Sequence, residues 1–201
     1  MASLILVRHG ESEWNERGLW TGWTDIGLSE KGKEEARKAG KKLKGFSIDI
    51  AYTSVLLRAK QTLDEIKKVL SLQDTLTIEN QALNERNYGI YTGKNKWEIQ
   101  KEVGEENFKS LRRGWDFPIE NGESLKDVYN RVIPYYEEQI LPKLKEGKNV
   151  LISAHGNSLR ALVKHLENIS DKNVENLEIP TGGIYAYQTD NEGKTASKQI
   201  L

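Results

Sequence analysis

The amino-acid sequence predicts an α/β fold with a doubly wound, mostly parallel sheet and helices on both of its faces. Two observations lead to this prediction. Apolar, strand-like runs alternate with segments of helical periodicity, which is typical of sheets built from β-α-β units. Two of the buried-type runs also end alike, each in a histidine followed by a glycine, at His9 and at His155.

In the first half of the chain, residues 4–8 form a continuous apolar run, as expected of a buried strand, and residues 10–28 are loop-like. Ser29 is a suitable N-cap for a helix, because small and apolar residues recur behind it at helical spacing. Residues 48–53 are predicted to be a strand, and Ser54 to cap the helix that follows. That helix has one apolar face, formed by Leu56, Ala59, Leu63, Ile66 and Leu70. A short strand is predicted at 76–78.

In the second half, residues 81–94 form an irregular loop, and two short amphipathic helices are predicted at 95–103 and 105–113. Ser124 and Asp127 have the spacing of a capping box, so a helix should run from there to about residue 145. Pro134 and Pro142 lie within it, and each is expected to kink or interrupt it. The remaining elements are a strand at 149–154, a helix at 158–167, and strands at 183–188 and 197–201.

Composition narrows the possible functions. The 201 residues include 30 basic and 30 acidic side chains, and this balance argues against a nucleic-acid binder or a polybasic membrane binder. The absence of cysteine excludes disulfides, thiolate catalysis and cysteine-based zinc sites. No apolar run approaches the length that spans a bilayer, and no secretory signal is evident. We expect one domain covering residues 1–201, in the cytoplasm.

The two strand-end histidines predict a shared site, because ligands of open α/β sheets bind outside the carboxyl ends of the strands. A neutral imidazole can act as a nucleophile near pH 7. If it attacks a phosphoryl group, fixed cations must surround the charged oxygens. Arg8, Arg58 and His155 are candidates for this clamp, and Glu85 is the best candidate for the general acid/base.

Some residues have two interpretations at this point. Trp14, Trp20 and Trp23 could line a pocket or equally well pack a loop onto the body of the protein. The Arg112-Arg113 pair is by itself only weak evidence of a binding site, since helix C-termini attract cations in any case. The third histidine, His165, lacks the strand-end context and is interpreted as a surface or packing residue.

The segment at 6–15, Leu-Val-Arg-His-Gly-Glu-Ser-Glu-Trp-Asn, resembles the signature of the histidine phosphatase superfamily. Within it, the chain is similar to the cofactor-dependent phosphoglycerate mutases that use 2,3-bisphosphoglycerate. The more specific motifs are Asn-Glu-Arg-Asn-Tyr-Gly at 84–89, Asn95-Lys96, the arginine pair, and His-Gly-Asn-Ser-Leu-Arg at 155–160. The resemblance extends over nearly the whole chain.

The resemblance implies roles for matching positions. His9 would be the phosphorylated nucleophile and Glu85 the proton shuttle. Arg8, Arg58 and His155 would hold the transferring phosphoryl group, with Asn15 and Gly156 nearby. The rest of the substrate would be bound by Thr21, Gly22, Tyr88, Lys96, Arg112, Arg113 and Asn157.

It further implies the interconversion of 3-phosphoglycerate and 2-phosphoglycerate in glycolysis and gluconeogenesis, with 2,3-bisphosphoglycerate as primer and no metal. The expected partners are small phosphoglycerates, without nucleic acid or membrane, and the protein would be a monomer or a small homo-oligomer.

Two departures from these mutases suggest an alternative function. Where they have a longer insertion after the arginine pair, this chain has only residues 115–122, and it lacks their C-terminal tail. A shorter cover would admit water, which competes for a phosphoenzyme. The alternative is therefore a phosphatase on the same scaffold. A non-catalytic phospholigand binder is a third possibility, but a nucleophile, a clamp and an acid/base all present together argue against it.

Overall fold

A computed structural model describes residues 1–201 and contains one six-stranded sheet. The spatial order of the strands is β3-β2-β4-β1-β5-β6. Their bounds are β1 Ala2–Arg8, β2 Ile50–Thr53, β3 Thr77–Glu79, β4 Val150–Ala154, β5 Ile184–Thr189 and β6 Thr195–Ile200.

Eight α-helices and several shorter turns connect the strands. The helices are α1 Glu13–Glu16, α2 Glu30–Lys42, α3 Leu57–Leu70, α4 Lys96–Val103, α5 Glu105–Arg113, α6 Leu125–Tyr135, α7 Leu141–Lys145 and α8 Gly156–Leu166. The 3₁₀ turns are Gln81–Leu83, Gly89–Tyr91 and Asn173–Asn176, and a π turn covers Tyr136–Ile140. None of the helices combines the length and the apolarity needed to traverse a bilayer.

The pairing of the strands confirms the predicted fold class. Strands β1, β2, β3 and β4 pair with one another in parallel, whereas β5 runs antiparallel to both of its neighbours, β1 and β6. Strands β1 and β4 lie side by side at the centre, with Arg8 opposite Ala154 in the register. The residues that follow these two strands therefore emerge next to each other at one end of the sheet.

Alternation along β1 distributes its side chains between two hydrophobic cores. Leu4 and Leu6 belong to the larger core, where the sheet packs against α6 and α8. Ile5 and Val7 belong to a second core, which packs against α2 and α3. Burial on both faces is characteristic of a parallel sheet covered by helices, and it explains why the run at residues 4–7 is continuously apolar.

Two local predictions were wrong. Ser54 does not cap α3 by the usual contact, because the N-cap is Leu56 and makes no side-chain cap hydrogen bond. The Ser54 hydroxyl instead contacts His155 Nε2 at 2.6 Å. The segment at 10–28 is not entirely loop, since Ser12 and Asn15 form a capping box that begins the short helix α1. A single helical turn has too few apolar residues to produce a periodic signal.

The helix predicted to reach about residue 145 is interrupted, but not at the first proline. Helix α6 continues through Pro134 to Tyr135. The hydrogen bonding then shifts to a π turn, in which the amide of Leu141 donates to the carbonyl of Tyr136. Helix α7 follows with Pro142 in its first turn, a position at which proline is common.

The loop after β1 crosses α2 with almost no space between the two backbones. A Cβ atom placed on Gly32 would collide with the backbone of Glu11, and one placed on Gly10 would collide with the backbone of Gly32. The amide of Ser29 also donates to the carbonyl of Glu11 at 2.9 Å. This crossing fixes the loop immediately behind His9.

We predict that Gly32→Ala lowers the free energy of unfolding by about 1–3 kcal/mol, because the new methyl group meets backbone that cannot rotate away. It should also reduce activity, since the displaced segment adjoins His9. Gly40→Ala is the matched control. It also lies in α2, but its methyl group would meet the side chain of Val69 and leave the loop unaffected. Chemical denaturation measures the first effect and a turnover assay the second. Unchanged activity in Gly32→Ala would contradict the prediction.

Candidate active site

A polar cavity opens at the carboxyl ends of β1 and β4, and it brings the predicted site residues together. Of those residues only His155 is absent from its lining. The lining residues are Arg8, His9, Asn15, Trp20, Thr21, Gly22, Arg58, Glu85, Tyr88, Lys96, Arg112, Arg113, Gly156, Asn157, Arg160, Glu178 and Ile179. His155 is fully buried beside His9, with the two ring centroids 4.9 Å apart.

The orientation of His9 is set by its own loop. Its backbone amide donates to the carbonyl of Ala154 at 2.9 Å, which attaches it to the neighbouring strand. Its Nδ1 lies 2.6 Å from the carbonyl oxygen of Gly10. A carbonyl can only accept a hydrogen bond, so we assign the proton to Nδ1. The lone pair of the neutral ring is then on Nε2.

His155 is held by a serine that the sequence did not link to it. The Ser54 hydroxyl oxygen accepts a hydrogen bond from the amide of Leu56 at 3.2 Å, and it lies 2.6 Å from His155 Nε2. The buried hydroxyl donates to no other group, so we assign its proton to the bond toward Nε2. The N–H of His155 is then on Nδ1, which is buried and has no partner within the protein.

Both rings are neutral at physiological pH. Burial lowers the pKa of His9 well below its ordinary value of 6.5, and the positive charges of Arg58 and Arg8 lower it further. The pKa of His155 is lowered in the same way, first by burial and then by Arg58. A neutral imidazole beside fixed cations can attack an electrophile at its free nitrogen.

Two guanidinium groups flank His9, and backbone carbonyls hold both of them. Arg58, in the first turn of α3, donates to the carbonyls of Gly22 and Thr24 at 2.7 and 3.0 Å. Arg8 donates to the carbonyl of Ile179 at 2.6 Å, while its buried Nε has no partner. Neither guanidinium forms an ion pair, so both retain their positive charge for a ligand.

Glu85 is a buried carboxylate enclosed by donors. Its Oε1 accepts from the amide of Arg86 at 2.8 Å and from both the amide and the Nδ2 of Asn157 at 3.0 Å. Burial would raise the pKa of Glu85, but the Arg86 amide and the charges of Arg8 and Arg58 outweigh it and hold the pKa below its ordinary value. Glu85 is therefore an anion in the free site.

Arg160 determines which way the amide of Asn157 points. Its Nη1 donates to Asn157 Oδ1 at 2.9 Å, so Nδ2 is on the side that donates to Glu85. Its Nη2 donates to the carbonyls of Arg113 and Val174. Arg160 thus links the carboxylate of Glu85 to the end of α5. It is the last residue of the motif at 155–160, and that position is the signal by which it could have been found.

A second buried arginine anchors the same helix. Arg86 is fully buried, and its Nη2 donates to the carbonyl of Leu111 at 2.7 Å, near the C-terminus of α5. A cation at a helix C-terminus interacts favourably with the helix dipole. Helix α5 brings Arg112 and Arg113 to the rim of the cavity, so the two buried arginines together fix the position of this half-buried pair.

The outer half of the cavity concentrates positive charge. Burial lowers the pKa of Lys96 to about 8, and the nearby charges of Arg112 and Arg8 contribute to that shift. The pKa of Arg112 is likewise lowered, first by burial and then by Arg113. A lowered pKa in a cation indicates an environment that would favour a bound anion.

The three tryptophans differ in their placement. Trp20 is buried, packs against Tyr88 with ring centroids 4.4 Å apart, and lines the cavity, so it both packs and contributes to the pocket. Trp23 is 40% exposed and donates from Nε1 to the carbonyl of Glu85 at 2.6 Å. Trp14 lies against Gly93 and does not line the cavity. Nothing in the sequence distinguished these three environments.

Three side chains could together hold a metal ion, because their potential ligand atoms lie within 4.8 Å of one another: His9, Glu85 and His155. Two histidines and one carboxylate are a donor set that divalent transition metals accept. A metal ion there would, however, lie next to Arg8 and Arg58, whose charges repel it. The surroundings therefore suit an anion better than a metal ion.

Comparison with known proteins identifies relatives over nearly the full length. Residues 4–199 match the family model described as histidine phosphatase superfamily (branch 1). A protein of Chelativorans named 2,3-bisphosphoglycerate-dependent phosphoglycerate mutase is 51% identical, with 99% of this chain and 98% of that protein covered. A Schizosaccharomyces pombe protein named phosphoglycerate mutase is 45% identical, with 98% and 95% covered.

The length of the segment at 115–122 is compatible with these names. The Chelativorans alignment extends over 201 residues and leaves no room for a long insertion. The Treponema denticola relative, 44% identical, aligns over 225 residues, so it has insertions that this chain lacks. Its name is the same, 2,3-bisphosphoglycerate-dependent phosphoglycerate mutase, and 98% of this chain and 91% of that protein are covered.

Among solved structures, a mycobacterial glucosyl-3-phosphoglycerate phosphatase complexed with VO3 matches with a TM-score of 0.85 at 21% identity, with 100% and 97% of the two chains covered. At that identity the match supports the fold alone. Bacillus stearothermophilus YhfR matches with a TM-score of 0.83 at 25% identity, with 97% and 94% covered. The chain therefore belongs to the histidine phosphatase superfamily (branch 1), and within it to the family of the 2,3-bisphosphoglycerate-dependent phosphoglycerate mutases.

Proposed function

We propose that the protein interconverts 3-phosphoglycerate and 2-phosphoglycerate, with His9 as the phosphoryl carrier. The observation that carries this proposal is a neutral histidine between two guanidinium groups that have no carboxylate partner, close to a buried carboxylate. The free Nε2 of His9 forms a bond to phosphorus as the bond between phosphorus and the leaving oxygen breaks. The reverse step passes the phosphoryl group to the free hydroxyl of a monophosphoglycerate.

The phosphoryl oxygens need donors that do not move during transfer. Arg8, Arg58 and the Nδ1–H of His155 fill this role, together with the N-terminus of α8, which begins at Gly156 and favours a bound anion. All of these groups are held by hydrogen bonds to backbone or by burial. Positioning combined with electrostatic stabilisation is the main source of catalysis in phosphoryl transfer.

Glu85 accepts the proton of the attacking hydroxyl and returns it to the leaving oxygen. Its lowered pKa makes it a base in the free site. A bound phosphoryl dianion would offset the charges of Arg8 and Arg58, which lower that pKa. The pKa of Glu85 should then rise, and proton uptake should become easier as the phosphoryl group arrives.

The remainder of the substrate is bound by the outer half of the cavity. Its carboxylate and its second phosphate have Lys96, Arg112 and Arg113 as cationic partners, with Asn15, Thr21, Gly22, Tyr88 and Asn157 contributing polar contacts. Thr21 Oγ1 and Arg8 Nε are buried without a partner in the protein, so the lining suits a densely anionic ligand. 2,3-Bisphosphoglycerate, when bound, supplies the phosphoryl group that first charges His9.

Phosphatase activity is the second candidate, motivated by the short segment at 115–122. A single assay separates the two functions. The rate of 2-phosphoglycerate formation from 3-phosphoglycerate is measured with and without 2,3-bisphosphoglycerate, alongside the release of inorganic phosphate. The mutase proposal requires that the bisphosphate raise isomerisation far above phosphate release. Dominant phosphate release would favour the phosphatase.

We predict that His9→Ala reduces turnover below about one part in a thousand, because no other group in the cavity can carry the phosphoryl group. Its circular dichroism spectrum and melting temperature should resemble those of the wild type. His165→Ala is the matched control, since His165 lies on α8 outside the cavity and bonds to Tyr129. Residual turnover of a few per cent in His9→Ala would refute the assignment of the nucleophile.

Glu85→Gln should lower kcat by about 10²- to 10⁴-fold with little change in KM, because the amide keeps the shape of the side chain but cannot accept the proton. Steady-state kinetics with 3-phosphoglycerate measure the effect. The variant should still bind inorganic phosphate in a calorimetric titration. A kcat within tenfold of the wild type would remove Glu85 from the proposed role.

The two buried histidines should also make stability depend on pH. Their pKa values are lower in the folded than in the unfolded protein, so the unfolded chain binds more protons below about pH 6.5. Stability is therefore fully present above pH 6.5 and should fall as the pH decreases, by up to about 1.4 kcal/mol per pH unit for each histidine. Denaturant titrations between pH 5.5 and 7.5 test this. His9→Asn should remove about half of the slope, and an unchanged slope would contradict the burial of a neutral ring.

A further inference from the structure

Two carboxylates line the active-site cavity, and the proposed mechanism uses only Glu85. The other is Glu178, whose side chain is 64% exposed. Its Oε1 lies 2.6 Å from Arg113 Nη2 in an ion pair, and Arg113 also donates weakly to the carbonyl of Leu177 at 3.4 Å. In the free protein, Arg113 thus already has an anion at the place where the substrate would supply one.

Glu178 is charged and able to move. Its hydrogen bond with Arg113 is the main cause that lowers its pKa, and the charges of Arg112 and Arg8 act in the same direction, so it is an anion at neutral pH. Its backbone is anchored, because the hydroxyl of Tyr185 donates to its carbonyl at 3.1 Å and Arg8 donates to the next carbonyl, that of Ile179. The exposed side chain can rotate away while the backbone remains in place.

We propose that Glu178 is an affinity-limiting residue: it occupies Arg113 as an internal anion, and a phosphate or carboxylate of the ligand must displace it. This inference rests on the proposed function and extends it to a residue with no role in phosphoryl transfer. A ligand anion that reaches Arg113 breaks the ion pair and leaves the carboxylate of Glu178 in solvent. Ligand binding is weakened by the free energy of that pair.

The alternative is that the ion pair only attaches α5 to the segment at 173–178. A neighbouring pair provides the matched control. Glu175 lies 3.5 Å from Lys109 and joins the same two parts of the chain, but neither residue lines the active-site cavity. A purely structural role would give Glu178→Gln and Glu175→Gln similar effects on ligand binding. A competing anion would give an effect only in Glu178→Gln.

The test is calorimetric titration of 3-phosphoglycerate in a His9→Ala background, which cannot be phosphorylated. Glu178→Gln should lower the Kd by about two- to fivefold, the range expected when an exposed ion pair no longer has to be broken. Glu175→Gln should leave the Kd unchanged. When Arg113 is replaced by Met, Glu178→Gln should have no further effect, because the two residues act through one contact.

An unchanged or higher Kd in Glu178→Gln would overturn the proposal and identify the pair as an anchor for Arg113. An equal decrease of the Kd in Glu175→Gln would overturn it as well, since any loss of negative charge nearby would then strengthen ligand binding. The same titrations with inorganic pyrophosphate distinguish a failure of this proposal from a failure of the proposed function. Tighter pyrophosphate binding in Glu178→Gln is expected even if the wild type does not isomerise phosphoglycerates.

Discussion

The hydrogen-bonded pairing of β1 with β4 is the constraint on which the site depends. These strands are separated by about 140 residues of sequence, yet their parallel register ends with Arg8 opposite Ala154, and the amide of His9 continues the ladder into the loop. The two histidines that follow these strands are therefore held next to each other. Because helices bury both faces of the sheet, a one-residue slip would exchange the contents of the two cores, so the register and the site are protected together.

The cations of the site are held in place without losing their charge. Arg8, Arg58 and Arg160 donate to backbone carbonyls rather than to carboxylates. A carbonyl orients a guanidinium without cancelling its charge. A chain with no net charge can therefore concentrate positive potential in one cavity, because its acidic side chains pair with lysines elsewhere on the surface. The cost is desolvation, which lowers the pKa of Arg58 and that of Arg160 to about 10.

The sequence was most informative where one physical requirement determined the residue type. Continuous apolar runs predicted the central strands, and the capping residues Ser29 and Ser124 predicted the starts of two helices. Several of the predicted site residues gather around one cavity because they follow strands or begin helices, as His9, Arg58, His155 and Gly156 do. Their individual roles stay predictions.

What the sequence could not provide was contact between distant loops. Ser54 has the spacing of a helix cap, but its hydroxyl bonds to an imidazole 101 positions away. Trp20 and Trp23 have similar sequence surroundings but differ in exposure, and Glu178 has no local pattern that sets it apart. In each case the environment is determined by a packing partner that no local periodicity encodes.

Arg86 connects Glu85 with helix α5. It immediately follows Glu85, the proposed proton acceptor, and its side chain reaches the carbonyl of Leu111 in the helix that bears Arg112 and Arg113. Its own backbone amide donates to the carboxylate of Glu85. One residue thus touches both the carboxylate proposed to move the proton and the helix that carries the two arginines proposed to bind the far end of the ligand. In the proposed mechanism, a shift of α5 would be transmitted to the surroundings of Glu85.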